Sequence, residues 1–198
     1  MHKELFSIAA IVLTFVLFAG YIRLIHAEQI KPHVFSWLVW AFGTITVFFA
    51  QLSDGAGVGA WPIGISGAIT FYIAVLAYVK RGDCRTTASD WGFFVAALSA
   101  FPAWYVTANP LWAVLILTFA DLAGFGPTIR RAYLQPYLES GGFFALGALR
   151  NLLVVLALEH YSFTTTLFPV AVGVACLMLA GLLAIRRRIV SVDRVPVP

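Results

Sequence analysis

The sequence predicts an all-α, polytopic membrane protein: seven transmembrane helices in a 3+1+3 arrangement, two parallel triplet repeats joined by one linking helix. Three observations carry this. Hydrophobic residues make up 61% of the 198-residue chain and charged residues 11%, whereas a soluble domain has about 25% charged residues. Apolar runs recur along the chain, each close to the roughly 20 residues a helix needs to cross a bilayer. The basic residues then fall almost wholly on one face. A single membrane domain over 1–198 accommodates all of this, and no separate soluble domain is expected.

The elements follow in order. The first run, 5–25, is longer than a signal-peptide core and precedes no small-residue cleavage site, so it is expected to remain as a span. The second, 34–53, is separated from the third, 60–79, by "SDGAGVGAWP", whose Asp and Gly are turn formers. The longest polar stretch, "KRGDCRTTASD", leads to the fourth run, 91–107. A tight "TANP" turn leads to the fifth, 110–130. The sixth covers 141–159 and the seventh 163–185. The tail, 186–198, opens with "RRRIVSVDR", a basic segment suited to anionic lipid. Trp61, Trp91, Trp104 and Trp112 fall near span ends, where indoles favour the interface.

Seven crossings place Arg23, Lys31, Lys80, Arg81, Arg85, Arg130, Arg131, Arg186, Arg187, Arg188 and Arg194 on the face of the C-terminus. Lys3 alone lies on the other face, and Arg150 lies inside a span. The positive-inside rule puts the N-terminus outside and the C-terminus in the cytoplasm, in a bacterial-type plasma membrane. The net charge of +4 comes from these loops and is not a nucleic-acid signal.

The halves resemble each other. Pro32, Ser36 and Gly43 match Pro136, Ser140 and Gly147 at an offset of 104. Pro62 matches Pro169 at an offset of 107, and "GYIR" at 20–23 resembles "GPTIRR" at 126–131. Repeat one is 5–79, the linking helix 91–107 and repeat two 110–185. A triplet is odd, so the link must cross the membrane to give both halves one orientation. Parallel repeats of this kind are a transporter plan, with substrate held between the halves near the midplane.

Polar residues inside the spans mark the expected centre. An ionised Asp or Arg at a helix centre costs about 2.5–3.5 kcal/mol on insertion scales. Asp121 lies in the middle of span five. Arg150, with Asn151 beside it, lies at a similar depth in span six. Spans five and six, as sequence neighbours, are expected to pack antiparallel and bring Asp121 to Arg150. Such a pair is either a structural salt bridge or a gate or proton site. Thr14 is the counterpart of Asp121 in span one, at an offset of 107.

Span two carries a stripe at helical spacing: Ser36, Trp40, Gly43, Thr44, Val47, Gln51 and Asp54. Trp40 can stack on a flat ring or a sugar face, while Trp37 reads as an interfacial anchor. Gln51 is expected to line an outer vestibule, and Asp54 to be a solvated turn residue. Ser36 and Ser140 are candidate wall residues. Gly64, Ser66, Gly67 and Thr70, and likewise Gly173, Cys176 and Gly181, are small-residue faces suited to close helix packing. Pro127 and Pro169 are candidate hinges, because an intrahelical proline deletes a hydrogen bond. Glu159 and His160 lie at the outer end of span six, where His160 is expected to be a solvated loop histidine.

The motif "GPTIRRAYLQPYLES" resembles the PQ-loop and SWEET-like superfamily. Pro127 stands at the proline position with Thr128 in place of the glutamine, Arg130 and Arg131 form the basic loop, and Ser140 opens the next span. In the first half Gly20 and Tyr21 occupy the Pro-Gln position, while Arg23, Lys31 and Ser36 fit. "SWLVW", with Trp37 and Trp40, is similar to a Trp-x-x-Trp motif of the related nicotinamide riboside transporters. The resemblance implies an alternating-access carrier of a small polar solute. A proton-coupled branch of the superfamily uses intramembrane acidic residues, a role Asp121 would suit. The same scaffold also serves non-transporting receptors and scaffolds, which is the alternative. Cys84 and Cys176 lack the spacing of a metal site, no cofactor is implied, and no nucleophile–base pair suggests an enzyme. The expected partners are the solute and membrane lipid; association with further copies stays open.

Overall fold

The computed structural model describes residues 2–28, 34–80, 88–137 and 139–189. Pro32, Lys31, Cys84, Arg81, Arg85 and the tail beyond 189 lie outside the described residues, as do the side chains of Pro127 and Arg131. The described residues form helices α1 (His2–His26), α2 (Val34–Ser53), α3 (Trp61–Val79), α4 (Ala88–Thr107), α5 (Leu111–Leu134), α6 (Gly141–Ala157) and α7 (Phe163–Ile189), with a 3-10 turn at Gly57–Ala60 before α3. Five segments are long and apolar enough to cross a membrane: α1, α2, Gly57–Val79, α5 and α7. The apolar part of α4 and the whole of α6 are shorter. The surface of the bundle carries large exposed apolar side chains such as Leu5, Phe15, Phe119, Leu177 and Met178, as suits a protein facing lipid.

Helices α5 and α7 run on to Leu134 and Ile189. The last turn of α7 holds Arg186, Arg187 and Arg188, whose long stems can lie along apolar surface while the charge reaches water. Arg186 stacks over Tyr133 with 4.1 Å from guanidinium carbon to ring centroid, and Arg187 Nη2 donates to the Glu139 carbonyl at 2.6 Å. These contacts tie the end of α7 to the connection between α5 and α6.

The starts of α5, α6 and α7 are fixed by local capping. Asn109 Oδ1 accepts from the Leu111 N–H at 2.9 Å, with Pro110 in the position where a missing N–H is harmless. Ser140 is the N-cap of α6, its Oγ accepting from the Phe143 N–H at 3.3 Å. At α7, Ser162 Oγ accepts from the Thr165 N–H at 3.2 Å and Thr165 Oγ1 accepts from the Ser162 N–H at 2.9 Å. This is a reciprocal capping box with threonine in the usual glutamate position.

Packing order differs from sequence order. Helix α3 packs against both α1 and α2; α7 packs against both α5 and α6. Two seams, α1 with α6 and α2 with α5, join these groups, and α4 packs on α5 and α2. Lipid offers apolar side chains no reason to prefer protein, so close fit decides which helices meet. On α3, a Cβ at Gly64 would lie 2.8 Å from the Phe48 ring and one at Gly67 2.8 Å from Ile45 Cγ1. On the α6–α7 contact, a Cβ at Gly147 would lie 3.2 Å from Cys176 Sγ and one at Gly173 3.1 Å from Asn151 Cβ. The small residues of α3 and α7 thus seat α2 and α6, except that Gly181 has nothing near its α-carbon.

Candidate functional site

A cavity of about 510 Å3 opens along the α2–α5 seam. Helix α2 lines it with Phe35, Ser36, Trp40, Gly43 and Thr44, and α5 with Leu117, Asp121 and Gly124; α4 adds Ala97 and α7 adds Phe168. Every α2 residue in the wall belongs to its first eleven positions. On α2 the wall thus lies toward the basic face, while Leu117 of α5 and Phe168 of α7, early in helices that start at the opposite end, carry it to mid-depth. Aromatic contacts shape it: Phe35 meets Trp91 and Phe94 at centroid distances of 5.4 and 5.3 Å, and Trp40 meets Trp37 edge-on at 5.4 Å.

Asp121 and Arg150 do not pair. Helix α7 lies between α5 and α6, so helices adjacent in sequence are held apart in space. The expectation of an antiparallel α5–α6 contact fails for that reason, and with it the salt bridge. Arg150 instead forms a buried knot on the α1–α6 seam. Its Nε donates to Thr14 Oγ1 at 3.1 Å, its Nη1 to Asn151 Oδ1 at 3.1 Å and its Nη2 to the Pro62 carbonyl at 2.7 Å. Asn151 Nδ2 donates to the Gly147 carbonyl at 2.9 Å, and Thr14 Oγ1 to the Ala10 carbonyl at 2.8 Å. Arg150, Asn151 and Thr14 are all buried. Among the described residues the Asp121 carboxylate has no hydrogen-bond or ion-pair partner. One turn earlier on α5, the buried Thr118 Oγ1 also has none.

The end of the bundle opposite the basic face is closed. The connection from α2 to α3 meets the connection from α6 to α7. Asp54 accepts a hydrogen bond from Ser162 Oγ, and His160 Nδ1 lies 2.9 Å from the Asp54 carbonyl. Glu159 Oε1 accepts from the Val58 N–H at 3.1 Å, its own N–H donates to the Ala56 carbonyl at 3.1 Å, and Lys3 Nζ donates to its carbonyl at 3.2 Å. Gly57 adopts a left-handed φ of +58°, and a Cβ there would strike the Glu159 carboxylate. Asp54 is thus a bridge between loops rather than a solvated turn residue. His160 remains exposed, yet its ring is tethered.

The prolines of α3 and α7 explain two further contacts. A proline has no N–H for the carbonyl four residues before it. Pro169 leaves the Thr165 carbonyl without its helical donor, and Gln51 Nε2 of α2 supplies one at 2.9 Å. Pro62 leaves the Val58 carbonyl free, and Ser7 Oγ of α1 supplies one at 2.7 Å. Gln51 is fully buried, so it braces α2 against α7 instead of lining a vestibule. Ser140 acts as a helix cap and lines no part of the cavity. Gln51→Leu is expected to lower stability by roughly 1–2 kcal/mol, measured by thermal unfolding. Adding Pro169→Ala, which restores the helical donor, should shrink that cost; an undiminished cost would break the link.

The site therefore has two parts: an open seam with a bare carboxylate, and a filled seam with a fully engaged guanidinium. Sequence reasoning found these charged residues but assigned them to one centre. It missed Phe35, Leu117, Gly124 and Phe168, whose apolar or glycine character carries no chemical signal. No family model, curated protein or solved structure matches the chain.

Proposed function

We propose that the chain is a small-solute membrane carrier of 3+1+3 plan, working by alternating access between two parallel triplets, as its resemblance to the PQ-loop and SWEET-like superfamily implies. The packing supports this reading. The order α1–α3–α2 in one half corresponds to α5–α7–α6 in the other, and the seams α1–α6 and α2–α5 exchange under the same correspondence. Helix α6, with 17 residues, is about 26 Å long at 1.5 Å per residue. That is close to the ~30 Å hydrocarbon core, and its ends lie among the groups of the two faces, so it completes the set of crossings with α4.

The observation that carries the proposal is the solute-sized cavity holding an unpartnered carboxylate, with the end of the bundle opposite the basic face shut by contacts between the halves. With the basic face in the cytoplasm, this is an inward-facing arrangement. The outward-facing one would require the Asp54–Ser162 and Glu159–Val58 contacts to part. Asp121 is the group best placed for proton coupling, being the one charged side chain in the cavity wall.

Proteoliposomes test this. Solute uptake driven by a pH gradient is expected in the wild type and expected to lose its gradient dependence in Asp121→Asn. Gradient dependence that persists in the variant would remove Asp121 from that role. Saturable binding with no counterflow would favour a receptor or scaffold over a carrier.

A further inference from the structure

The α1–α6 and α2–α5 seams are counterparts, yet one is filled and the other hollow. On the first, Arg150 spans the gap to Thr14. On the second, the offset of 104 puts Thr46 at the place of Arg150, and the offset of 107 puts Asp121 at the place of Thr14. The Thr46 hydroxyl turns back to the Phe42 carbonyl at 2.8 Å, so it does not bridge the seam. The second seam therefore has the anion and lacks the cation, and the space between is the cavity.

We propose that this cavity binds a small organic cation, a positively charged nitrogen on a compact apolar or flat body, with Asp121 as its counter-ion. The inference rests on the reading of the cavity as a solute site and names the class of solute. Three features of the wall support it. Asp121 is its one charged residue, with no Lys, Arg or His to compensate it. A bare carboxylate at this depth is costly, and a bound cation relieves that cost. Phe35, Trp40 and Phe168 line the same space, and aromatic faces attract cations through their quadrupole.

The same wall disfavours other solutes. An anion would meet Asp121. A polyhydroxylated sugar would find only the Ser36 and Thr44 hydroxyls, the Trp40 indole N–H and the Asp121 carboxylate among the side chains, few for its many donors and acceptors. The volume of about 510 Å3 lies in the range of roughly 300–1,000 Å3 typical of small-molecule sites.

The test uses the full chain in nanodiscs and three ring probes that differ in charge: benzyltrimethylammonium, benzyl alcohol and benzylsulfonate. Binding is read by calorimetry and by tryptophan fluorescence. The quaternary ammonium should bind about tenfold or more tightly than either other probe. Asp121→Asn should abolish that preference without lowering thermal stability, and Asp121→Glu should keep most of it. Gly124→Leu provides a second variant: a Cβ at Gly124 meets nothing within 4 Å, so the larger side chain should fill the cavity, keep the fold and remove binding. Equal or tighter binding of the alcohol or sulfonate overturns the cation site. So does a cation preference that survives Asp121→Asn or Gly124→Leu. Counterflow in proteoliposomes separates this from the carrier reading. Cation binding without counterflow overturns the carrier and leaves the site. Counterflow of neutral or anionic solutes that no cation inhibits overturns the site and leaves the carrier.

Discussion

Arg150→Met is expected to lower the stability of the folded protein by roughly 3–5 kcal/mol, since buried groups that lose a charged donor each cost about 1–3 kcal/mol. The substitution strips Asn151 Oδ1 and the Pro62 carbonyl of their donors and sets an apolar thioether among polar groups between α6, α1 and α3. Removing a buried charge also relieves its desolvation, but that gain is limited here because the polar partners stay behind. Arg150→Lys should not rescue the fold, as one ammonium cannot reproduce a planar fork that reaches three separate acceptors. Removing the orphaned amide as well, in Arg150→Met with Asn151→Leu, should recover part of the loss. Thermal unfolding in detergent is the measurement; a methionine variant as stable as the wild type would show that the knot contributes nothing. Asp121→Asn should not lower the unfolding temperature, because Asp121 holds no partner to lose and the amide removes a costly charge.

Gly59→Ala is the second large effect. A Cβ at this position would lie 2.7 Å from the Leu158 N and Cα atoms and 2.9 Å from the Ala157 carbonyl carbon. These are backbone atoms, so no side-chain rotation can make room. The end of α6 must separate from the turn before α3, at a cost of about 1–3 kcal/mol for overpacking. The loss should concentrate at the closed face. A cysteine placed at buried Thr164, in the first turn of α7, should react faster with a thiol reagent in the Gly59→Ala background. Gly92→Ala is the control, since a Cβ there meets nothing within 4 Å. An unchanged alkylation rate in Gly59→Ala would mean that this contact does not hold the face shut.

Much of the local structure was legible in the chain. Asn109-Pro110, Ser140 and Ser162 mark helix starts because a side-chain oxygen beside an unsatisfied N–H is a local matter, readable from neighbours. The apolar runs and the flanking basic residues likewise express length and solvent preference. The prolines were half legible: Pro62 and Pro169 must each orphan the carbonyl four residues earlier. That Ser7 and Gln51 would come to those carbonyls depended on which helices lie alongside.

By itself, then, the sequence determined the helical, lipid-suited character of the chain, the capped starts of α5, α6 and α7, and the rare polar groups inside the helices. Tertiary structure alone decided their partners. Helix α7 packs on both α5 and α6, and on the α6 side Gly147 and Gly173 make room for Cys176 and Asn151. That order sends Arg150 to Thr14 and leaves Asp121 facing a cavity. In lipid, apolar surface does not discriminate among neighbours; fit between particular small residues does, and that fit lies across the chain rather than along it.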